Sequence, residues 1–160
     1  MRLLVFILAL LSPLPALALS CVAADVETSF ARHDAAEETY VVVHGRLTFE
    51  QTALPKGMLP DKKPPELTRV PAHLRGSSLT EAGFVLPFDH DLTLEVACLG
   101  PWCGSAGNGR SVLAFVRKDA EGFAIEVSPC GGALFEEPKP AMLKEAKRCL
   151  TDGNCQADSQ

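Results

Sequence analysis

The sequence predicts a mainly β fold: a small, closed or partly open barrel of about five strands, with helices only at its two ends. Three observations carry this. Short runs rich in β-branched and aromatic residues recur between turn signals. The two helix-like patterns flank the strand region and never interrupt it. Six cysteines lie behind an apolar leader, the mark of a disulfide-stapled exported domain.

Residues 1–20 (MRLLVFILALLSPLPALALS) have the form of a secretory signal peptide. Arg2 supplies the positive end, Leu3 to Leu11 the apolar run, and Ala16, Ala18 and Ser20 suit a signal peptidase. Pro13 and Pro15 cut the run short of the roughly 20 apolar residues a membrane span needs, so no transmembrane anchor is expected. Cleavage after Ala18 leaves Leu19 first, and cleavage after Ser20 leaves Cys21 as the mature N-terminus. Ala18-Leu19-Ser20-Cys21 also approaches a lipobox, which makes a lipid anchor at Cys21 the alternative. The expected localisation is extracytoplasmic, periplasmic or secreted.

Behind the leader lies one domain's length of chain, read as residues 21–155, with a polar tail at 156–160. Twenty acidic residues against 15 basic give a net charge of −5, and losing Arg2 makes the mature domain one charge more acidic. Without a basic stripe there is nothing to pair with a phosphate backbone, so nucleic acid is not an expected partner.

Taken in order, residues 24–36 read as a short amphipathic helix with Asp25 as N-cap and Val26, Phe30 and Ala31 on one face. Residues 38–49 (ETYVVVHGRLTF) form the clearest strand, with Gly45 as a bulge or bend that lets it curl and serve two halves of a barrel. Residues 52–78 carry Pro55, Pro60, Pro64, Pro65 and Pro71 with Lys56, Lys62 and Lys63, and read as a long loop or irregular edge, either solvated or a contact surface. Residues 78–87 read as a strand ending at Val85-Leu86-Pro87. In residues 91–99 (DLTLEVACL), Leu92, Leu94 and Val96 alternate with polar positions. Residues 100–110 are glycine-rich and close on the turn signal Asn108-Gly109. Residues 111–118 and 123–128 form a hairpin with a four-residue loop, Asp119 to Gly122. Residues 140–150 read as a helix opened by Pro140 and closed before Gly153.

Among the cysteines, Cys149 and Cys155 flank the turn sequence Asp152-Gly153-Asn154 and are expected to pair. Cys21, Cys98, Cys103 and Cys130 remain for two longer bridges, their pairing open. Trp102-Cys103-Gly104 opens like a thioredoxin-type W-C-G-x-C site, but Ala106 stands where the resolving thiol would be. Cys98 and Cys103 lack the second ligand pair a zinc site needs. No metal or other cofactor is expected. Trp102 between two cysteines is read as packing against a disulfide, or as a surface anchor for a partner. His90 between Asp89 and Asp91 is a carboxylate–imidazole cluster able to orient a base or hold a cation, although its place before a strand predicts a polar turn. His44 reads as a hydrogen-bonded or outward strand residue. Ser77, Ser78 and Ser111 lack a nucleophile-elbow context, and no phosphate-binding glycine loop occurs.

The order of these features resembles the netrin-like domain, the OB-fold shared with tissue inhibitors of metalloproteinases. Cys21 precedes a helix with Phe30, then comes Val41-Val42-Val43-His44-Gly45. Cys103-Gly104 and Val112-Leu113-Ala114-Phe115 follow, then a hairpin into Ser128-Pro129-Cys130-Gly131-Gly132 and a C-terminal helix. The resemblance implies an OB-like barrel used for binding. In those inhibitors the mature N-terminal Cys sits over the protease's zinc and ligates it through amine and carbonyl, a role that would fall on Cys21. They begin Cys-x-Cys, whereas Val22 and Ala23 follow Cys21 here, so one anchoring bridge is missing. The expected function is a non-catalytic module that contacts a protein partner, of which a protease is one form, through rim loops and the N-terminal segment. Cys21, Trp102 and His90 are its candidate contacts. The alternative is a small thiol-dependent or hydrolytic enzyme centred on Cys103 or His90.

Overall fold

A computed structural model describes residues 19–57, 63–153 and 155. The run read as a signal peptide, apart from Leu19 and Ser20, the tail at 156–160 and part of the proline- and lysine-bearing run (58–62) lie outside the described residues.

The first helix, α1 (Val26–Asp34), begins where Asp25 accepts a hydrogen bond from the Thr28 amide at 2.7 Å. Strand β1 (Thr39–Phe49) follows, as its run of valines predicts. Then come β2 (Leu67–Thr80), β3 (Gly83–Leu99), the two-residue β4 (Trp102–Cys103), β5 (Ser111–Asp119), β6 (Gly122–Val127), β7 (Leu134–Glu136) and α2 (Pro140–Asp152). The second helix has Pro140 in its first turn and Gly153 at its C-cap with φ 62°.

Five strands close a ring in the order β1-β2-β3-β6-β5, with β5 pairing back onto β1. Every contact of the ring is antiparallel except β3 with β6. The mainly β, disulfide-stapled barrel with a helix at each end is therefore present. Its interior is filled by Val43, Leu47, Leu74, Leu94, Val112 and Ile125, among others, all fully buried. Strand β5 is buried on both faces. Val112, Ala114 and Val116 point inward, while Leu113 and Phe115 are covered from outside by Val26 and Phe30 of α1 and Ala146 and Cys149 of α2.

Gly45 does serve two neighbours: β1 pairs β5 up to Arg46 and β2 from Val43 onward. It is not a bulge, because both registers run through it unbroken. A Cβ there would come within 2.4 Å of the Arg75 carbonyl oxygen, and the glycine lets β1 and β2 meet at the Gly45–Gly76 pair.

Four expectations need correction. The loop read over 52–78 ends early: residues from Leu67 belong to β2, and Pro71 stands inside it, opposite Thr93. Proline is tolerated because β1 reaches β2 only as far as the Phe49–Ala72 pair, so Pro71 lies where one edge of β2 is unpaired. The run 78–87 is not one strand but a hairpin, turning at Glu81-Ala82 between Thr80 and Gly83. His90 is not in a turn; it lies mid-strand in β3, opposite Leu74. The β5–β6 loop is also shorter than expected, since Asp119 pairs Gly122 and leaves a two-residue turn.

Candidate functional site

All six cysteines are bridged: Cys149 to Cys155 as expected, Cys98 to Cys103, and Cys21 to Cys130. Of the two bridges expected to be long, only Cys21–Cys130 is, at a separation of 109 residues; Cys98–Cys103 spans five. The reason is the tight turn at Gly100-Pro101, which folds β4 straight back on β3 so that Cys98 faces Cys103 and Leu99 faces Trp102. Gly100 takes φ 60°, which a side chain would resist.

These bridges gather four segments at one end of the barrel. Parallel pairing makes β3 and β6 finish on the same side. Just past β4, the Gly104 amide donates to the Ala97 carbonyl at 2.8 Å, and Gly104 packs so close to Val127 that a Cβ would meet its carbonyl oxygen. Beyond β6, the turn at 128–131 is closed by the Gly131 amide on the Ser128 carbonyl, and Cys130 in that turn holds Cys21. On the other flank, Cys98 donates its amide to the Glu66 carbonyl, and Gly57 approaches Pro101. The N-terminal segment, the proline-bearing loop, the β3–β4 hairpin tip and the turn after β6 thus form one rim.

That rim is apolar where it is exposed. Among the described residues seven large apolar side chains are exposed, and four of them (Val22, Leu67, Leu99 and Trp102) are here. Trp102 is 40% exposed and Leu99, opposite it, 51%. The indole is therefore only partly covered.

Of the sequence candidates, Cys21 and Trp102 come together on this rim, and His90 does not. His90 sits at the far mouth, its ring 4.8 Å from those of Phe88 and Phe123. Phe123 is at the start of β6, and six residues of that strand, roughly 20 Å, lie between the two ends. Cys103 presents no thiol, its sulfur being bonded to Cys98.

The carboxylates beside His90 serve a different imidazole. His73, on β2, hydrogen-bonds Asp91 through Nδ1 at 2.8 Å and Asp89 through Nε2 at 2.6 Å, and Arg75 donates to Asp89 at 2.8 Å. Its pKa is raised, chiefly by Asp91 and then Asp89, while Arg75 and then His73 lower that of Asp89. With a carboxylate on each nitrogen, His73 is set up as a surface cation and not as a base or metal ligand. Sequence reasoning missed this cluster because His73 fell within the expected loop. The one available signal was the spacing itself: a strand through 73 and 75 would face Asp91 and Asp89 directly. His44 hydrogen-bonds Ser111 Oγ at 3.3 Å under the edge of Phe84. Among the described residues no three His, Cys, Asp or Glu side chains converge to hold a metal ion.

Comparison with known protein families, curated proteins and solved structures returns no match for this chain.

The bridges nonetheless set the setting. Three disulfides fit an oxidising, extracytoplasmic compartment. No helix among the described residues is long and apolar enough to cross a membrane.

Proposed function

We propose that the chain is an exported, non-catalytic binding module of netrin-like, OB type, which holds a protein partner on the disulfide-pinned rim. The observation that carries this is the pair Leu99–Trp102, presented to solvent on a two-residue hairpin tip beside the segment anchored by Cys21–Cys130. Exposed aromatic and aliphatic side chains on a rigid tip bind with little ordering entropy, and Trp is the side chain most enriched at binding hot spots. The barrel's strand order and its anchored N-terminal cysteine support the netrin-like reading. Inhibition of a zinc protease through the Cys21 amine and carbonyl is the narrower form of it, and requires cleavage after Ser20. Lipidation is an alternative to the bridge, because a diacylglycerol thioether would use the sulfur that Cys130 holds.

The test is site-specific photo-crosslinking in the native host. A photoreactive phenylalanine replaces Trp102 in one strain and Glu121, in the far-end turn, in another. The reading expects one discrete protein adduct from position 102 and none from 121. No adduct at 102, or the same adducts from both positions, would overturn it. An N-terminally extended variant retaining Ser20 would then separate the forms: it should lose any zinc-protease inhibition yet keep the position-102 adduct.

A further inference from the structure

A second site lies away from the rim, under the outer layer of the barrel. A half-open cavity of about 420 Å³ is enclosed by α1, the start of β1, the β2–β3 hairpin and the end of α2. That volume is in the range of small-molecule sites, about 300–1,000 Å³. Its walls are Phe30, Val42, Leu79 and Phe115, and half-exposed Leu86 and Leu150 flank them.

Two features give this apolar cavity a polarity. The first is His33, only 8% exposed, which stacks on Phe115 with ring centroids 4.5 Å apart and meets Tyr40 edge-on. Its Nδ1 lies 2.6 Å from the Ser29 carbonyl, an acceptor, so Nδ1 carries the proton. Nε2 is left as a lone-pair acceptor with no hydrogen-bond partner among the described residues, in a residue that lines the cavity. Burial lowers the pKa of His33 and keeps the ring neutral. The second feature is charge: among the described residues Asp34 and Glu38 line the cavity, and no lysine or arginine does. Two guanidiniums lie nearby: Arg32, whose charge acts on His33, and Arg117, which reaches Tyr40 and is ion-paired with Glu95 at 3.1 Å and Asp119 at 3.2 Å.

A ligand that answers both features must donate a hydrogen bond to Nε2 and carry positive charge toward two carboxylates, on an apolar body. We propose that this cavity binds a small primary amine with an aromatic or branched aliphatic body. Its ammonium donates to His33 Nε2 and faces Asp34 and Glu38, and its body packs on Phe30 and Phe115. The Tyr40 ring adds a cation–π face. A carboxylate ligand of the same shape would meet like charge and find no donor at His33.

The probe is 2-phenylethylamine, titrated into the full mature protein with NMR detection, against 3-phenylpropanoate and 2-phenylethanol. Saturable amine binding is expected, with shifts concentrated at His33, Tyr40 and Phe115, and with the acid about tenfold weaker or worse. Asp34 and Glu38 are exposed, so Asp34→Asn with Glu38→Gln should leave the fold intact. That double variant should weaken the amine about tenfold and leave 2-phenylethanol unchanged. Equal binding of amine and acid, shifts mapping outside the cavity, or no saturation would overturn the proposal. None of these outcomes bears on the rim, since neither Trp102 nor Cys21 touches the cavity.

Discussion

The two ends of the barrel are held in different ways. At the rim, Leu99 and Trp102 are left in solvent, and bridges from Cys21 and Cys98 fix the backbone around them. At the far mouth, Phe88, His90 and Phe123 close on one another, with ring centroids 4.8 to 5.1 Å apart. An end whose apolar side chains pack inward needs no covalent help. An end that shows its apolar side chains outward gains no burial from them and takes its rigidity from cystines. That contrast is why the rim, and not the His90 end, is read as the partner surface.

The comparison can be broken most severely at the long bridge. Replacing Cys21 and Cys130 by serine frees a loop of 109 residues, and the chain-entropy account predicts a loss of about 5 kcal/mol in denaturant unfolding. At the far mouth, Phe88→Ala removes a side chain that is 5% exposed and should cost about 3 kcal/mol, read in the same way. Replacing Cys98 and Cys103 together closes the gap between the ends: the five-residue loop is worth only about 2 kcal/mol, yet photo-crosslinking from position 102 should fail.

His73 and His33 respond to pH with opposite sign. Binding to Asp91 and Asp89 raises the folded pKa of His73, so its stabilisation is complete below the ordinary histidine value of 6.5. It is lost as pH rises through the raised folded value. Burial lowers that of His33, so its effect is the reverse: stability is present above 6.5 and is lost as pH falls toward the lowered folded value. Stability profiles of His73→Gln and His33→Gln against wild type should therefore diverge on opposite sides of that value. The smallest effect belongs to Trp102→Ala, which should change folding stability by no more than about 0.5 kcal/mol while weakening co-purification of the partner identified by crosslinking.

The strands with one buried face were legible, because alternation in 91–99 and the valines of 38–49 report local geometry. So were both helices, whose caps Asp25 and Gly153 are local signals. What escaped is non-local. Pro71 argued against a strand and was admitted only because β1 stops short of it, a fact of register. His90 drew attention for neighbours that in the fold turn to the other face and to another histidine. The nearness of Cys21 to Cys130 depends on a parallel β3–β6 pairing that no window of sequence carries, whereas Cys149–Cys155 was readable from the turn between them.

The most direct test is non-reducing mass spectrometry of the natively exported protein, intact and then peptide-mapped. A covalently pinned rim predicts an unlipidated chain with Cys21 linked to Cys130, Cys98 to Cys103 and Cys149 to Cys155. A mass beginning at Cys21 would add the free amine that zinc-protease inhibition requires. A diacylglycerol adduct on Cys21, or a free thiol at Cys103, would contradict the account and direct attention to a lipoprotein or to thiol chemistry at the hairpin tip.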